Sequence, residues 1–223
     1  MQSRSVRAPA SRAPAAAERP IVVKLGGSVV RSPDLPAWLD VIAAVPRRIV
    51  VVPGGGALAD EVRACQSQLG FGDPAAHRMA LLAMDQLAWA VAGLRGGFSV
   101  GATETELREA LARGKIAVWA PYALVAGRTD VEESWRLTSD SLALWLAARL
   151  GASRCYLIKS IARPKAARLG ARQLAREGIV DAAFPGMLKE AGVPTFLLGR
   201  GDHQAFASTD SDGVACGAEI VLG

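Results

Sequence analysis

Three short stretches carry residue types that could move a phosphoryl group. "VVKLGGS" sets Lys24 near the end of a Val-rich run and follows it with Gly26, Gly27 and Ser28. "VVVPGGGAL" ends a second Val-rich run in Gly54, Gly55 and Gly56. "LTSDS" sets Thr138, Ser139 and Asp140 just ahead of an apolar segment. Glycine has no Cβ, so its backbone N–H can come close to an anion. A helix starting directly after such a loop adds unpaired N–H donors and the positive end of its dipole. Two cradles of this kind with a lysine between them suit in-line phosphoryl transfer, where positioning and charge neutralisation supply most of the catalysis.

Each piece also has a plainer reading. Glycines after strands make tight turns. Ser28 can cap a helix as well as donate to a phosphate oxygen, and Ser139 and Asp140 are common first-turn residues. Lys24 is harder to explain away, because it sits among apolar neighbours and a buried ammonium group needs a partner. Asp140 is the candidate for that partner. Neither loop is a Walker A or a G-x-G-x-x-G sequence, so those nucleotide folds are not indicated.

These residues need a scaffold, and the hydrophobic pattern supplies one. Short Val/Ile/Leu-rich runs predict strands at 21–25, 48–52, 97–101, 116–119, 154–159, 194–198 and 218–222. Most lack polar alternation, as parallel strands covered on both faces do. Helical stretches lie between them at 34–45, 57–69, 73–94, 103–114 and 138–151. Asp73 is a candidate N-cap with Pro74 behind it, and Gly114 and Gly151 are candidate stop signals. Strand alternating with helix predicts an α/β protein, a three-layer α/β/α sandwich with a mainly parallel central sheet. Ligands of such sheets bind beyond the carboxyl ends of the strands, where both glycine loops fall.

Composition narrows the function classes. A chain of 223 residues that is 51% hydrophobic can bury a core without disulfides or metals. The net charge of +5 is uneven, since Arg4, Arg7, Arg12 and Arg19 crowd the first twenty residues against Glu18 alone. We expect residues 1–20 to be a disordered tail and 21–223 to be one domain. Aromatic residues make up only 5%, so no basic, aromatic nucleic-acid face is indicated. Cys65, Cys155 and Cys216 have neither disulfide nor zinc spacing, which fits a reducing cytoplasm. Arg78, Asp85 and Arg95 interrupt the longest apolar run before it reaches membrane-spanning length. That run carries His77 and Met84 on nearly one helical face. Its bland role is core or subunit packing, and its apolar content predicts a homo-oligomer, a dimer or larger. Its sharper role is to line an acceptor pocket with His77, Arg78 or Asp85.

The order and separation of "KLGGS", "VVPGGG" and "LTSDS" resemble the amino acid kinase superfamily, over residues 21 to about 160. "GFGDPAAHRMALLAMDQLAW" and "WRLTSDSLALWLAARLGA" resemble more closely its methanofuran-pathway branch, whose members phosphorylate an (aminomethyl)furanylmethyl phosphate. The resemblance implies an ATP-dependent kinase with Mg2+ and a small phosphate monoester as acceptor. Lys24 would neutralise the transferring phosphoryl group, and Asp140 would orient it. Gly26, Gly27, Ser28, Ser139 and Lys159 would hold the nucleotide. Gly54, Gly55, Gly56, Thr138, His77 and Asp85 would hold the acceptor, with Asp85 the carboxylate for an amine. No protein metal cluster is implied. Many members carry an acidic Thr-Asp-Val-Asp-Gly loop where this chain reads "LIKSIARPKAARLG". Their second catalytic lysine follows Gly-Gly-Met; here "PGMLKEAG" offers Lys189 at another spacing, and Lys159 and Lys165 are the substitutes. With that half altered, a non-catalytic nucleotide- or oxyanion-binding protein of the same fold is the alternative.

Overall fold

Successive residues of the central strands face opposite cores. Val22, Val50, Val52 and Leu157 belong to one apolar cluster, and Val23, Leu25, Val51 and Ile158 to the other. Both faces of the sheet are therefore covered, which is why these strands read as unbroken Val/Ile runs. A computed structural model of the chain describes residues 19–162, 165–208 and 215–223, and the expected tail lies almost wholly outside them. Arg19 and Pro20 already belong to the body: the Arg19 guanidinium donates to the carbonyls of Gly151 and Ala152, and Ser153 N donates to Pro20 O.

The described elements begin with β1 (Ile21–Leu25), α1 (Gly27–Val30), α2 (Leu35–Ala44), β2 (Ile49–Pro53), α3 (Gly56–Leu69) and α4 (Asp73–Leu94). There follow β3 (Phe98–Gly101), α5 (Glu104–Ala112), β4 (Ile116–Trp119), α6 (Tyr122–Val125), α7 (Ser139–Leu150) and β5 (Arg154–Ile158). The C-terminal part holds β6 (Arg168–Gly170), α8 (Ala171–Arg176), α9 (Phe184–Ala191), β7 (Thr195–Leu198), α10 (His203–Ser208) and β8 (Ala218–Val221). The strand order is β3-β4-β2-β1-β5-β7-β8-β6. All pairings are parallel except β7 with β8, so the sheet is mainly parallel and the layers are as expected. β1 pairs with β2 on one side and β5 on the other, and the chain leaves the carboxyl ends of these strands in opposite directions. That divergence opens the crevice where α/β sheets bind ligands.

Two expectations need correction. The sheet gains β6, three residues too short to show a pattern. The N-cap before α4 is Gly72, with Asp73 the first helical residue, so the start signal was read one residue late. α7 is buried on almost every side, from Ser139 through Ala147, because it lies between the sheet and the C-terminal helices. Among the described residues no helix is long and apolar enough to cross a membrane.

Candidate active site

Strand parity decides where Lys24 points. It lies on the same face of β1 as Val22, the face that α7 covers. Its Nζ stands 2.6 Å from Asp140 Oδ1, with side-chain exposures of only 4% and 6%. A second cation meets the same carboxylate: Lys159 Nζ, from the residue after β5, is 2.6 Å from Asp140 Oδ2. Asp140 thus bridges two lysines. Burial pushes its carboxyl up, and the charges of Lys24 and Lys159 outweigh that, holding it below its ordinary value. For Lys159 burial dominates, followed by repulsion from Lys24; together they bring its ammonium down to about 8 despite the Asp140 charge. Of the three sequence candidates, Lys159 is the one that contacts Asp140, while Lys165 and Lys189 are exposed.

The capping reading of Asp140 gives way to another residue. Thr138 is the N-cap of α7, yet its side chain makes no cap bond. Asp181, from the loop before α9, accepts from Thr138 N at 3.0 Å, Thr138 Oγ1 at 2.9 Å and Ser141 N at 3.0 Å, and also from Ser141 Oγ. Burial, and then the nearby Asp140 charge, raise the Asp181 carboxyl above its ordinary value. A carboxylate 41 residues away (181 − 140) caps the helix and leaves Asp140 to the lysines.

The two glycine loops touch backbone to backbone. A Cβ on Gly27 would lie 2.6 Å from Gly56 Cα, and one on Gly54 would lie 2.7 Å from Gly27 N. Such distances exclude any side chain, so closeness of the loops is a structural reason for these glycines beside the anion-binding one. Not all of their N–H groups are available. Gly26 N donates to Ile158 O and Gly54 N to Leu25 O, which extends the sheet pairing by one residue on each side. These two positions shape the loops, and the donors free of the sheet come from the starts of α1 and α3, at Gly27, Ser28 and Gly56. Ser28 Oγ and Ser160 Oγ share a hydrogen bond of 2.7 Å, tying the first loop to the segment after β5.

Beside the loops lies a cavity of about 320 Å³. Gly27, Ser28, Gly54, Gly55 and Gly56 form one end of its lining, and Thr138 and Ser139 join them. Leu81, Met84, Leu137 and Leu142 add apolar walls. His77 also lines it, only 4% exposed, with no partner for Nε2. Burial lowers the His77 pKa, against a smaller raising effect from a Ser134 backbone bond, so the ring is neutral at pH 7. Asp85 and Arg78 do not reach the cavity. Residues on a helix turn by about 100° each, so Met84 shares the His77 face while Asp85 is rotated about 80° from it. Asp85 Oδ1 accepts from Tyr122 N at the start of α6, and Arg78 pairs with Glu133. The cavity holds two charged residues that the sequence did not single out, Asp60 and Arg63 of α3, and one aromatic, Trp135. Nothing in the sequence sets them apart from ordinary solvated helix and loop residues.

A lysine–carboxylate–lysine bridge thus lies close to two abutting glycine loops at the switch point of a parallel sheet. The chain belongs to the amino acid kinase family, which it matches over residues 19–163. It is 30% identical over 131 residues to the [5-(aminomethyl)furan-3-yl]methyl phosphate kinase of Methanocaldococcus jannaschii. That match takes in 58% of this chain and 60% of that protein, so the chain spans about three fifths of its relative. Among solved structures, uridylate kinase from Archaeoglobus fulgidus is similar with a TM-score of 0.68 at 20% identity, over 90% of this chain and 99% of that one. UMP kinase from Ureaplasma parvum gives 0.65 at 12%, over 92% and 98%. At these identities the likeness is one of fold.

Proposed function

We propose that this chain is an ATP-dependent kinase that transfers the γ-phosphoryl group to a small phosphate monoester, an (aminomethyl)furanylmethyl phosphate of methanofuran-type cofactor biosynthesis. The observation that carries this reading is the Lys24–Asp140–Lys159 bridge, whose Asp140 follows Ser139 of the cavity lining, beside a cavity end built from two glycine loops. Lys24 and Lys159 neutralise charge on the group in transfer, and Asp140 holds both at fixed positions. The first turns of α1 and α3 offer N–H donors to the phosphates of nucleotide and acceptor respectively. The acceptor's own phosphate oxygen attacks, so no strong general base is needed, and the neutral His77 serves as a hydrogen-bonding group. Mg2+ supplies charge neutralisation on the nucleotide phosphates. Among the described residues no group of three or more His, Cys, Asp or Glu could hold a metal, so the nucleotide would supply the ligands. The relative's own name supports the acceptor assignment.

The same reading has the chain as a homo-oligomer. Met79, Leu82 and Trp89 lie along one side of α4 and are 38%, 44% and 68% exposed, more apolar surface than a solvated helix face carries. The test of function is incubation with ATP, Mg2+ and a panel holding this furan phosphate, UMP and isopentenyl phosphate, with the diphosphate product read by mass spectrometry. Turnover of the furan compound above the others is expected. ATP binding with no turnover on any monoester would instead make the chain a non-catalytic binding protein.

A further inference from the structure

The mouth of the cavity is already set up to receive a cation. Asp60 is the sole carboxylate among the described residues that line it. Trp135 presents its ring there, and the Arg63 guanidinium lies 4.0 Å above the ring centroid. Arg63 Nη1 also sits 3.1 Å from Asp60 Oδ1. The indole is fixed from behind, since Trp135 Nε1 donates to Gln66 Oε1 at 2.6 Å and Gln66 Nε2 donates to Asp73 Oδ1 at 2.8 Å. A carboxylate beside an aromatic face attracts cations of any origin. Here the occupant is the chain's own Arg63, whose side chain is 49% exposed, beside an Asp60 that is 71% exposed. An ion pair this open to water is weak and readily exchanged.

Position along α3 gives the ruler. The helix starts at Gly56, with Asp60 and Arg63 four and seven residues further on. At 1.5 Å per residue they stand about 6 and 10 Å along the axis from the anion-binding end. A compact acceptor with its phosphate on the first turn of α3 would bring a substituent at its other end to Asp60.

We propose that Asp60 and the face of Trp135 form the seat that reads the acceptor's ammonium group, and that Arg63 occupies this seat until the acceptor displaces it. The inference rests on the cavity being the acceptor site. It replaces Asp85, which the fold turns toward α6, with a carboxylate from another helix. The seat makes the chain selective for monoesters with an amine opposite the phosphate.

The test compares (aminomethyl)furanylmethyl phosphate with the same molecule lacking its aminomethyl group, by kcat/KM and by calorimetric Kd. Wild-type protein is expected to favour the amine by about tenfold or more. Asp60→Asn should bring that ratio near one, while Arg63→Gln, which vacates the seat, should raise it. A melting curve for each variant separates selectivity from loss of fold. Equal losses for both compounds in Asp60→Asn, or a wild-type protein blind to the amine, would overturn the proposal. If the wild type phosphorylates neither compound, the kinase reading fails, and the ratio of Kd values still decides whether the seat exists. Binding of neither compound would overturn both.

Discussion

Glycines in two regions of this molecule do different work. Around β1 and β2, Gly27, Gly54 and Gly56 are hemmed in by backbone, and a Cβ on the first two would overlap the facing loop at 2.6 to 2.7 Å. In the C-terminal half, Gly178, Gly186, Gly192 and Gly201 have nothing within 4 Å of where a Cβ would stand. The first set brings two loops and their anion-binding N–H groups together. The second set sits where the chain turns or where a helix happens to carry a glycine. The difference teaches which of these glycines are under geometric demand. The paired loops are built on close approach, and the C-terminal part contributes single side chains, Lys159 to the bridge and Asp181 to the cap.

Asp140 joins the halves, so its loss should have the largest effect. Asp140→Asn leaves Lys24 and Lys159 buried and facing each other without the carboxylate that bridges them. We expect turnover to fall a hundredfold or more, and stability to fall by about 3–5 kcal/mol, the cost of breaking a buried pair. Steady-state kinetics and urea unfolding measure the two. A stable but inactive variant would mean that Asp140 orients the lysines without holding the fold.

The contribution of the C-terminal half shows in pH dependence. Lys159 titrates at about 8, and it must be charged to act on a phosphoryl group. Turnover should therefore decline as pH rises through about 8, by about tenfold per unit beyond it. Stability from this group moves the opposite way. The unfolded lysine titrates near 10.4, so between about 8 and about 10.4 the unfolded chain binds more protons and stability rises with pH. A kcat–pH profile beside unfolding curves at pH 7.5 and 9.5 checks both signs. Lys159→Arg, which stays charged, should flatten the alkaline fall.

Alanine substitutions sharpen the contrast between the two sets of glycines. Gly27→Ala forces a methyl group against backbone that cannot yield and should cost about 1–3 kcal/mol, with loss of turnover. Gly186→Ala, inside α9 with open space around it, should stabilise by about 0.5–1 kcal/mol and leave turnover alone. Similar thermal shifts in the two variants would erase the distinction. Asp181→Ala, which removes the cap of α7, should cost about 1–2 kcal/mol, with turnover reduced less than by Asp140→Asn.

What could be read from the sequence follows the same division. Lys24 stood out because an ammonium in an unbroken apolar strand demands a partner, and Asp140 because its position matched that demand. The layered sheet followed from two-sided strand burial. Asp181 was not legible: a single aspartate in "IVDAAF" carries no mark of a helix capped 41 residues away. Which pair would be the antiparallel exception, β7 with β8, was not legible, because hydrophobic pattern encodes burial and not strand direction. Asp85 was chosen for its charge on the correct helix, and rotation about that helix took it out of reach. Asp60, Arg63 and Trp135 come together only when the loop before α7 lies against α3.

The central claim is that Lys24, held by Asp140, acts on the phosphoryl group in transfer. The most direct measurement is kcat of Lys24→Ala with ATP, Mg2+ and (aminomethyl)furanylmethyl phosphate, beside calorimetric binding of ATP to the same variant. The expected result is a kcat at least about a hundredfold below wild type, a cost of about 3 kcal/mol in the transition state, with ATP still bound. Wild-type kcat in Lys24→Ala would contradict the claim.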